Sequence, residues 1–168
     1  MPDDGTVIVL NGTSSSGKTT LARELQKQFE DVYLHCSSDM FWGMTPYGIP
    51  ANSVNFPNLK KAMTQSVYAL ANTGHNVIVD TVYLGEKSHR QMQEALKNIT
   101  VFTVKVECDL KELNRREIAR GDRAIGLAES QFHTVHNGVQ YDFTVNTTEN
   151  SVVSCAQKIV QLIYARNA

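Results

Sequence analysis

A lysine and two threonines end a run of small residues near the amino terminus, in the stretch VIVLNGTSSSGKTT at positions 7–20. Part of it matches the pattern G-x-x-x-x-G-K-[ST], in which successive backbone N–H groups converge on a phosphate at the start of a helix. The match follows an apolar strand and opens a helical pattern, as phosphate binding requires. The sequence therefore predicts a nucleotide phosphate site formed by Gly12, Thr13, Ser14, Ser15, Ser16, Gly17, Lys18, Thr19 and Thr20.

The residue types in this loop have separate tasks. Gly12 and Gly17 permit backbone conformations and close approaches that a Cβ would obstruct. Lys18 brings a flexible positive charge to the β- and γ-phosphates, and the Thr19 hydroxyl is suited to ligate Mg²⁺. We therefore expect ATP and Mg²⁺ as cofactors, with Lys18 catalytic and Thr19 on the metal. The alternative is a flexible serine-rich turn that binds nothing.

Other motifs narrow the class of nucleotide-binding protein. The chain has no N-K-x-D sequence, the guanine-binding motif of GTPases, and this favours ATP. The apolar strand NVIVD ends in Asp80 and continues with Thr81, whereas motor and transporter ATPases usually place Asp-Glu there. A small chain with one phosphate loop and a later arginine cluster is typical of a simple kinase.

The arginine cluster lies in the segment NRREIARGDRAIG. Arg116 and Arg120 are four residues apart and share a helix face, and Gly121 is expected to end that helix and leave Arg123 on a mobile segment. We predict a lid over residues 115–127, with Arg120 and Arg123 stabilising transition-state charge and Arg116 and Arg120 binding nucleotide. The alternative is a solvated basic face paired with Glu112, Glu117 and Asp122.

Two aspartates follow predicted strands, and in a doubly wound sheet the carboxyl ends of strands border the ligand crevice. Asp39 is predicted to accept the proton of an attacking hydroxyl, or to hold magnesium through water. The alternative is that Ser37, Ser38 and Asp39 cap a short helix. Asp80 is expected to bind substrate or to act on magnesium through water, and helix capping is its alternative.

Aromatic residues follow Asp39. Phe41 and Trp42 are candidates for an apolar substrate pocket with few polar anchors. Packing against the underside of the loop is an equally good interpretation.

Composition limits the remaining possibilities. The 168 residues fit one domain, here a kinase domain over 1–168, and the net charge of −1 argues against a nucleic-acid or membrane surface. Three widely spaced cysteines indicate buried thiols in a reducing compartment. With neither a signal peptide nor an apolar run long enough to span a bilayer, we expect a cytoplasmic protein. The oligomeric state is left open.

Short β-branched runs alternate with helical periodicity along the chain, which indicates an α/β doubly wound domain with a parallel sheet. The predicted strands are Thr6–Asn11, Val32–Ser37, Asn76–Thr81, Thr100–Glu107 and Phe143–Asn146. The predicted helices are Thr19–Phe29, Leu59–Ala71, Glu86–Lys97, Leu110–Arg120, Ala128–His136 and Ser151–Tyr164. Between these elements, Met40–Asn58 is expected to be a long surface loop over the acceptor site.

These residues also resemble those of the chloramphenicol phosphotransferase-like family of P-loop kinases. The similarity rests on VIVLNGTSSSGKTTLARELQ, on SSD after the second strand, on VIVDTVYLG, and above all on the block REIARGDRAIGLAESQFHTVHNGVQYDFTVNTTENSVVSCAQKI. It covers nearly the whole chain except Met40–Asn58. The P-loop is common to many kinases, whereas the carboxyl-terminal block is much more specific.

The resemblance implies ATP-dependent phosphorylation of a hydroxyl group on a small molecule. It implies a five-stranded parallel sheet of the nucleotide-kinase type, sandwiched by helices. Asp39 aligns with the catalytic base, and Lys18, Arg120 and Arg123 with phosphate contacts. Asn146 and Thr147 align with the loop that lies near the adenine.

Two departures from the family pattern fall in the presumed acceptor pocket. The segment after Asp39 is shorter and more aromatic, and Asp80-Thr81 stands where the family has paired aspartates. The sequence therefore leaves the acceptor open, whether chloramphenicol or another compound. A kinase of a nucleotide-sugar or a polynucleotide 5′-hydroxyl, and a non-catalytic nucleotide-binding regulator, are the alternatives.

Overall fold

The computed structural model describes residues 4–122 and 124–167. They form a sheet of five parallel strands in the order β2-β3-β1-β4-β5. The strands are β1 (Thr6–Asn11), β2 (Tyr33–Ser37), β3 (Asn76–Thr81), β4 (Thr100–Glu107) and β5 (Phe143–Asn146). The helices are α1 (Lys18–Gln28), α2 (Ser38–Trp42), α3 (Phe56–Ala71), α4 (Gly85–Ala95), α5 (Leu110–Arg120), α6 (Leu127–Phe132) and α7 (Val152–Asn167).

The central strand β1 is apolar throughout because both of its faces are covered. Alternate side chains of a strand point to opposite faces of the sheet. Ile8 and Leu10 therefore pack in a core with residues of α1 and α7, whereas Val7 and Val9 pack in a second core with residues of α3 and α4. The result is a three-layer α/β sandwich, as the apolar runs predicted.

The order of the strands determines where a ligand crevice can form. The chain winds from β1 outward to β2, returns through β3, and then crosses to β4 on the other side of β1. Ligands of such sheets bind at the carboxyl ends of the strands where the winding direction reverses. The loop between β1 and α1 lies at this point.

All five predicted strands are confirmed, and β2 begins at Tyr33 because Val32 is 80% exposed. The prediction of one long loop over Met40–Asn58 is wrong at both ends. Helix α2 covers its first residues, a 3-10 helix spans Ala51–Ser53, and α3 begins at Phe56. Local capping explains both helices, because the Ser37 and Asn55 side chains accept hydrogen bonds from backbone N–H groups of the turns that follow.

Three further observations concern predicted features. Helix α6 ends at Phe132 rather than His136, and turns replace the rest of that predicted helix. The three cysteines are buried and free, as expected. Within the described ranges, every helix is too short or too polar to cross a membrane.

Candidate active site

The loop between β1 and α1 is shaped by tight backbone contacts. A Cβ on Gly12 would lie 2.5 Å from the carbonyl oxygen of Val106, so only glycine allows the loop to pass this close to β4. Ser15 and Gly17 have φ angles of 63° and 91°, in the left-handed region. These turns bend the loop around the amino end of α1, where Thr13 and Ser16 are buried beneath it.

The loop has the properties of an anion site. Ser15 is only 8% exposed, and its hydroxyl oxygen has no hydrogen-bond partner among the described residues. The Lys18 ammonium is folded back, donating to the Thr13 carbonyl at 2.6 Å, with the Ser16 hydroxyl at 3.4 Å. No side chain in the described ranges caps α1. A phosphate group fits this cradle, because it would accept hydrogen bonds from the Ser15 hydroxyl and from the backbone N–H groups of the first turn of α1. The Lys18 ammonium lies beside it.

Thr19 and Asp80 form a contact between the loop and β3. The Thr19 hydroxyl donates to Asp80 Oδ2 at 2.5 Å, and His35 Nε2 lies 3.5 Å from the same oxygen. Burial alone would raise the pKa of Asp80, but the His35 imidazole, the Lys18 charge and the Thr19 hydrogen bond together hold it below its ordinary value. Asp80 is therefore an anion near neutral pH.

This pair suits magnesium, which prefers oxygen ligands and keeps several waters while it binds one or two protein groups and substrate phosphates. Hydroxyl and carboxylate oxygens are both present beside the phosphate cradle. In the part of the chain that the structure describes, no cluster of three His, Cys, Asp or Glu side chains forms an all-protein metal site. Thr19 and Asp80 thus fit a metal that is shared with a nucleotide.

Asp39 lies in the first turn of the short helix α2. The Ser37 side chain caps this helix by accepting from the Met40 amide at 3.2 Å, and the Ser38 hydroxyl lies 2.6 Å from the Thr81 hydroxyl at the end of β3. The capping that the sequence left as an alternative is therefore observed, but Ser37 performs it. The Asp39 side chain is exposed and lines the same cleft as Lys18 and Asp80.

Phe41 and Trp42 lie below this surface. Phe41 packs against the core between the sheet and α3, and Trp42 packs edge-on against Phe56 with ring centroids 6.2 Å apart. Neither ring is among the described residues that line the cleft, whereas Phe56 is. Of the two placements that the sequence left open, the structure shows packing beneath the cleft.

The arginines on α5 differ in their surroundings. Arg116 donates to the Thr147 carbonyl at 2.8 Å and to its hydroxyl at 3.2 Å, and its Nη1 lies 3.4 Å from the position of a Cβ on Gly17. The Thr147 hydroxyl in turn donates to the Ser16 carbonyl at 2.8 Å. Arg116 is therefore held at the edge of the phosphate loop by the segment after β5.

Arg120 also lines the cleft, where it forms two 3.1 Å hydrogen bonds with Asp122. Arg123 lies outside the described residues. Arg115 binds both carboxylate oxygens of Glu112, and hydrogen bonds from Arg115 and then Arg116 lower the pKa of Glu112 to about 2. The ion pairs with Glu112 and Asp122 that the sequence offered as an alternative are present, whereas Glu117 forms no pair with a described arginine. Arg116 and Arg120 nevertheless reach the cleft.

Asn146 accepts hydrogen bonds from the backbone of Thr148 and Glu149, so its side chain stabilises its own turn. Thr147, next to it, does line the cleft. The cleft has a volume of about 1780 Å³ and brings together most of the predicted site. The predicted residues in its lining are Ser14, Ser15, Gly17, Lys18, Thr19, Thr20, Asp39, Asp80, Arg116, Arg120 and Thr147.

Two residues near the predicted lid have roles that the sequence did not predict: Glu117, which it named only as a partner of the arginines, and Gln131, which it did not single out. Glu117 is 1% exposed and accepts from the backbone N–H groups of Gly126 and Ala128, at 2.6 and 2.9 Å. Gln131 Oε1, on α6, accepts from the Ser14 amide of the phosphate loop at 2.7 Å. Both lie in the family-specific block, but hydrogen bonds between distant segments give no periodic signal in one sequence.

Lys60 is a further residue that the sequence did not single out, and it lies on α3 in the lining of the same cleft. Its ammonium donates to the Val82 carbonyl and lies 5.1 Å from the centroid of the Tyr83 ring. Burial, together with the positive charge of Lys18, lowers the pKa of Lys60 to about 8. Because lysines on helices are ordinarily exposed, the sequence could not predict that Lys60 is partly buried in the cleft.

Solved structures of P-loop kinases share this fold. An APS kinase from Mycobacterium tuberculosis, solved with AMPPNP and APS, superposes with a TM-score of 0.79 at 16% identity, covering 97% of this chain and 99% of that one. A shikimate kinase from Acinetobacter baumannii, solved with shikimate, gives 0.64 at 16% identity over 96% and 94%. These likenesses show the nucleotide-kinase fold that the strand order had indicated.

Sequence comparison supplies the family. Two proteins from Mycobacterium tuberculosis, strains CDC 1551 and H37Rv, are named O-phosphotransferases by inference; each is 28% identical, covering 95% of this chain and 82% of the relative. The model of the chloramphenicol phosphotransferase-like proteins matches residues 5–164. Together with the P-loop fold, these matches identify an enzyme of the kinase type, and the chain belongs to the chloramphenicol phosphotransferase-like family.

Proposed function

We propose that the protein transfers the γ-phosphate of ATP to a hydroxyl group of a small molecule. The observation that carries this proposal is the cleft itself, in which an exposed carboxylate, Asp39, shares one surface with the phosphate cradle of Lys18 and with the Thr19–Asp80 pair. Kinases need this combination of a phosphate grip and a base beside it.

The nucleotide side of the mechanism follows from the loop. The amides and the Ser15 hydroxyl bind phosphate oxygens, and Lys18 leaves the Thr13 carbonyl for the β- and γ-phosphates. Arg116 adds a positive charge at the edge of the loop, and the segment at Asn146 and Thr147 borders the adenine side. Magnesium, when bound, would neutralise charge on the phosphate oxygens, with Thr19 as its ligand and Asp80 holding it through water.

The acceptor side follows from Asp39. Its carboxylate orients the acceptor hydroxyl and takes its proton, while the hydroxyl oxygen bonds to the γ-phosphorus and the bond to the bridging oxygen of ADP breaks. ADP leaves with the electron pair of that bond. Arg120, together with Arg123, stabilises the charge that develops on the transferred group.

The lid completes the site by excluding water. Residues 115–127 contain the second half of α5 and the connection to α6. Glu117, on α5, accepts two backbone hydrogen bonds from the end of this connection and the start of α6. Movement of the lid over the phosphates would bring its arginines inward and limit hydrolysis of ATP.

An acceptor screen tests the proposal. We expect ADP release from ATP and Mg²⁺ only with the right compound in a panel of hydroxylated molecules that includes chloramphenicol, with a phosphomonoester product visible by ³¹P NMR. Lys18→Ala is the inactive control. A nucleotide-sugar and an oligonucleotide with a free 5′-hydroxyl belong in the panel, because phosphorylation of either one alone would overturn the small-molecule assignment. Nucleotide binding without transfer to any acceptor would indicate a regulator.

A further inference from the structure

The acceptor half of the cleft contains a positive charge that the mechanism above does not use. Lys60 extends from α3 into the cleft, half-buried, and its ammonium donates to the Val82 carbonyl. The rings of Tyr83 and Phe56 lie 5.1 and 5.9 Å from the ammonium. The side chain is therefore held at a defined place rather than extended into solvent.

Among the described residues, Lys60 lacks the carboxylate partner that several other basic side chains have. Lys27, Arg90, Lys97, Lys105 and Arg116 are each paired with a glutamate. Within residues 4–122 and 124–167, no carboxylate forms an ion pair with Lys60, and the charge that acts on it most is the like charge of Lys18. Burial raises the pKa of Tyr83 to about 12, so its phenol stays neutral and supplies no negative charge.

A partly desolvated ammonium without a counter-ion is costly, and its charged form is penalised, as its lowered pKa shows. An ammonium has three N–H donors, and the described residues provide one carbonyl acceptor here. An anionic group of a ligand would satisfy the remaining donors and supply the missing charge. The exposed ring of Phe56 would contact the apolar part of the same ligand.

We infer that the acceptor carries an anionic group, a carboxylate, sulfate or phosphate, which pairs with Lys60 while the reacting hydroxyl lies at Asp39. This inference rests on the proposed function, because it assigns the second recognition element of the same acceptor. It excludes a neutral acceptor as the preferred one. Lys18 and Lys60 then serve two anions in one cleft, the transferred phosphate and the fixed charge of the acceptor.

The kinetic test compares hydroxyl compounds that differ only in charge, namely shikimate with its methyl ester, and glycerol 3-phosphate with glycerol. Lys60→Met should raise KM for the anionic member of the pair that is phosphorylated by about 10- to 100-fold, because one partner of a charge-assisted contact is lost. It should leave kcat within about threefold and the neutral member within about twofold. Lys60→Arg should restore most of the affinity, since it keeps the charge.

Lys61→Met is the matched control, because it removes one positive charge from the next position on α3, where the side chain is exposed. Its effect on KM should stay below about twofold. Equal losses in Lys60→Met for charged and neutral acceptors would overturn the inference and show a structural role. A clear preference of the wild-type enzyme for the neutral member of each pair would overturn it as well.

A second measurement does not depend on phosphate transfer. Limited acetylation with acetic anhydride, read at Lys60 by mass spectrometry, is made with Mg²⁺ and a non-hydrolysable ATP analogue filling the phosphate loop, before and after sulfate is added as the probe. We expect sulfate to slow acetylation of Lys60 by at least about threefold and to leave Lys61 unaffected.

The two measurements separate the possible failures. Protection of Lys60 by sulfate in a protein that phosphorylates no acceptor would support the anion site and overturn the proposed function. Full protection by the nucleotide analogue alone would overturn the inference, because Lys60 would then bind the γ-phosphate. Phosphate transfer to an acceptor, with no protection of Lys60 by sulfate, would support the proposed kinase function and overturn the anion site.

Discussion

The nucleotide half and the acceptor half of the cleft are built in different ways. Around the phosphate loop, three polar side chains already have protein partners: Lys18 donates to the Thr13 carbonyl, Thr19 donates to Asp80, and Arg116 donates to Thr147. The buried Ser15 hydroxyl is an exception, with no hydrogen-bond partner among the described residues. In the acceptor half, Asp39 is exposed on a five-residue helix and Lys60 has no carboxylate partner in the described ranges. The nucleotide half is thus held together by contacts within the protein, whereas in the acceptor half we propose that a ligand supplies the counter-charge of Lys60.

The largest expected effect separates binding from chemistry in the nucleotide half. Lys18→Ala should lower acceptor-dependent ADP formation by more than about 10³-fold, because the charge that stabilises the transferred phosphate is removed. Steady-state kinetics measure the loss, and circular dichroism checks the fold. Lys27→Ala, on the exposed side of the same helix, is the control and should change activity by less than about twofold. Activity in Lys18→Ala close to the wild-type level would contradict the phosphate-loop mechanism.

Asp39→Asn should impair phosphate transfer in the acceptor half and leave nucleotide binding nearly unchanged. The amide keeps the shape of the side chain but cannot take a proton, so kcat should fall by about 10²- to 10⁴-fold while ATP affinity stays within about threefold. Single-turnover kinetics and nucleotide titration measure the two quantities. Asp80→Asn provides the contrast, because it should weaken magnesium-dependent nucleotide binding instead. Unchanged turnover in Asp39→Asn would remove this residue from the role of base.

The difference between the two halves also explains which features could be predicted from the sequence alone. The strands and the phosphate loop follow from local patterns, because an apolar run buried on both faces and a G-x-x-x-x-G-K-T sequence each specify one structure. Helix α2 was raised only as the capping alternative at residues 37–39, because a helix of five residues is too short to show periodicity. Lys60 and Gln131 were missed, and Glu117 was named only as a partner of the arginines, because their hydrogen-bond partners lie on other segments of the chain. Local sequence therefore predicts the nucleotide half better than the acceptor half and the lid.

The proposed lid would border both halves, and Glu117 accepts two hydrogen bonds from the backbone where this segment ends. Glu117→Ala leaves the buried N–H groups of Gly126 and Ala128 without their acceptor, which should cost about 1–3 kcal/mol of the free energy of unfolding. Urea denaturation measures this difference. Glu129→Ala, an exposed carboxylate in the first turn of α6, is the control and should cost less than about 1 kcal/mol. Equal stability of the two variants would show that Glu117 does not hold the lid.

The smallest expected effect concerns Gln131, a side chain of α6 that contacts the phosphate loop. Gln131 Oε1 accepts from the Ser14 amide at 2.7 Å, and a phosphate oxygen that binds this amide must first displace it. Gln131→Ala should therefore tighten ATP binding by about two- to tenfold, the value of one hydrogen bond that no longer has to be broken. Equilibrium titration with a fluorescent ATP analogue measures the change.

Gln131→Glu sharpens this test, because a carboxylate in the same position would repel the phosphates and weaken binding instead. Weaker ATP binding in both variants would mean that the Gln131 amide turns toward the phosphate and donates to it. In that case α6 would contribute directly to nucleotide binding and would belong to the nucleotide half of the cleft.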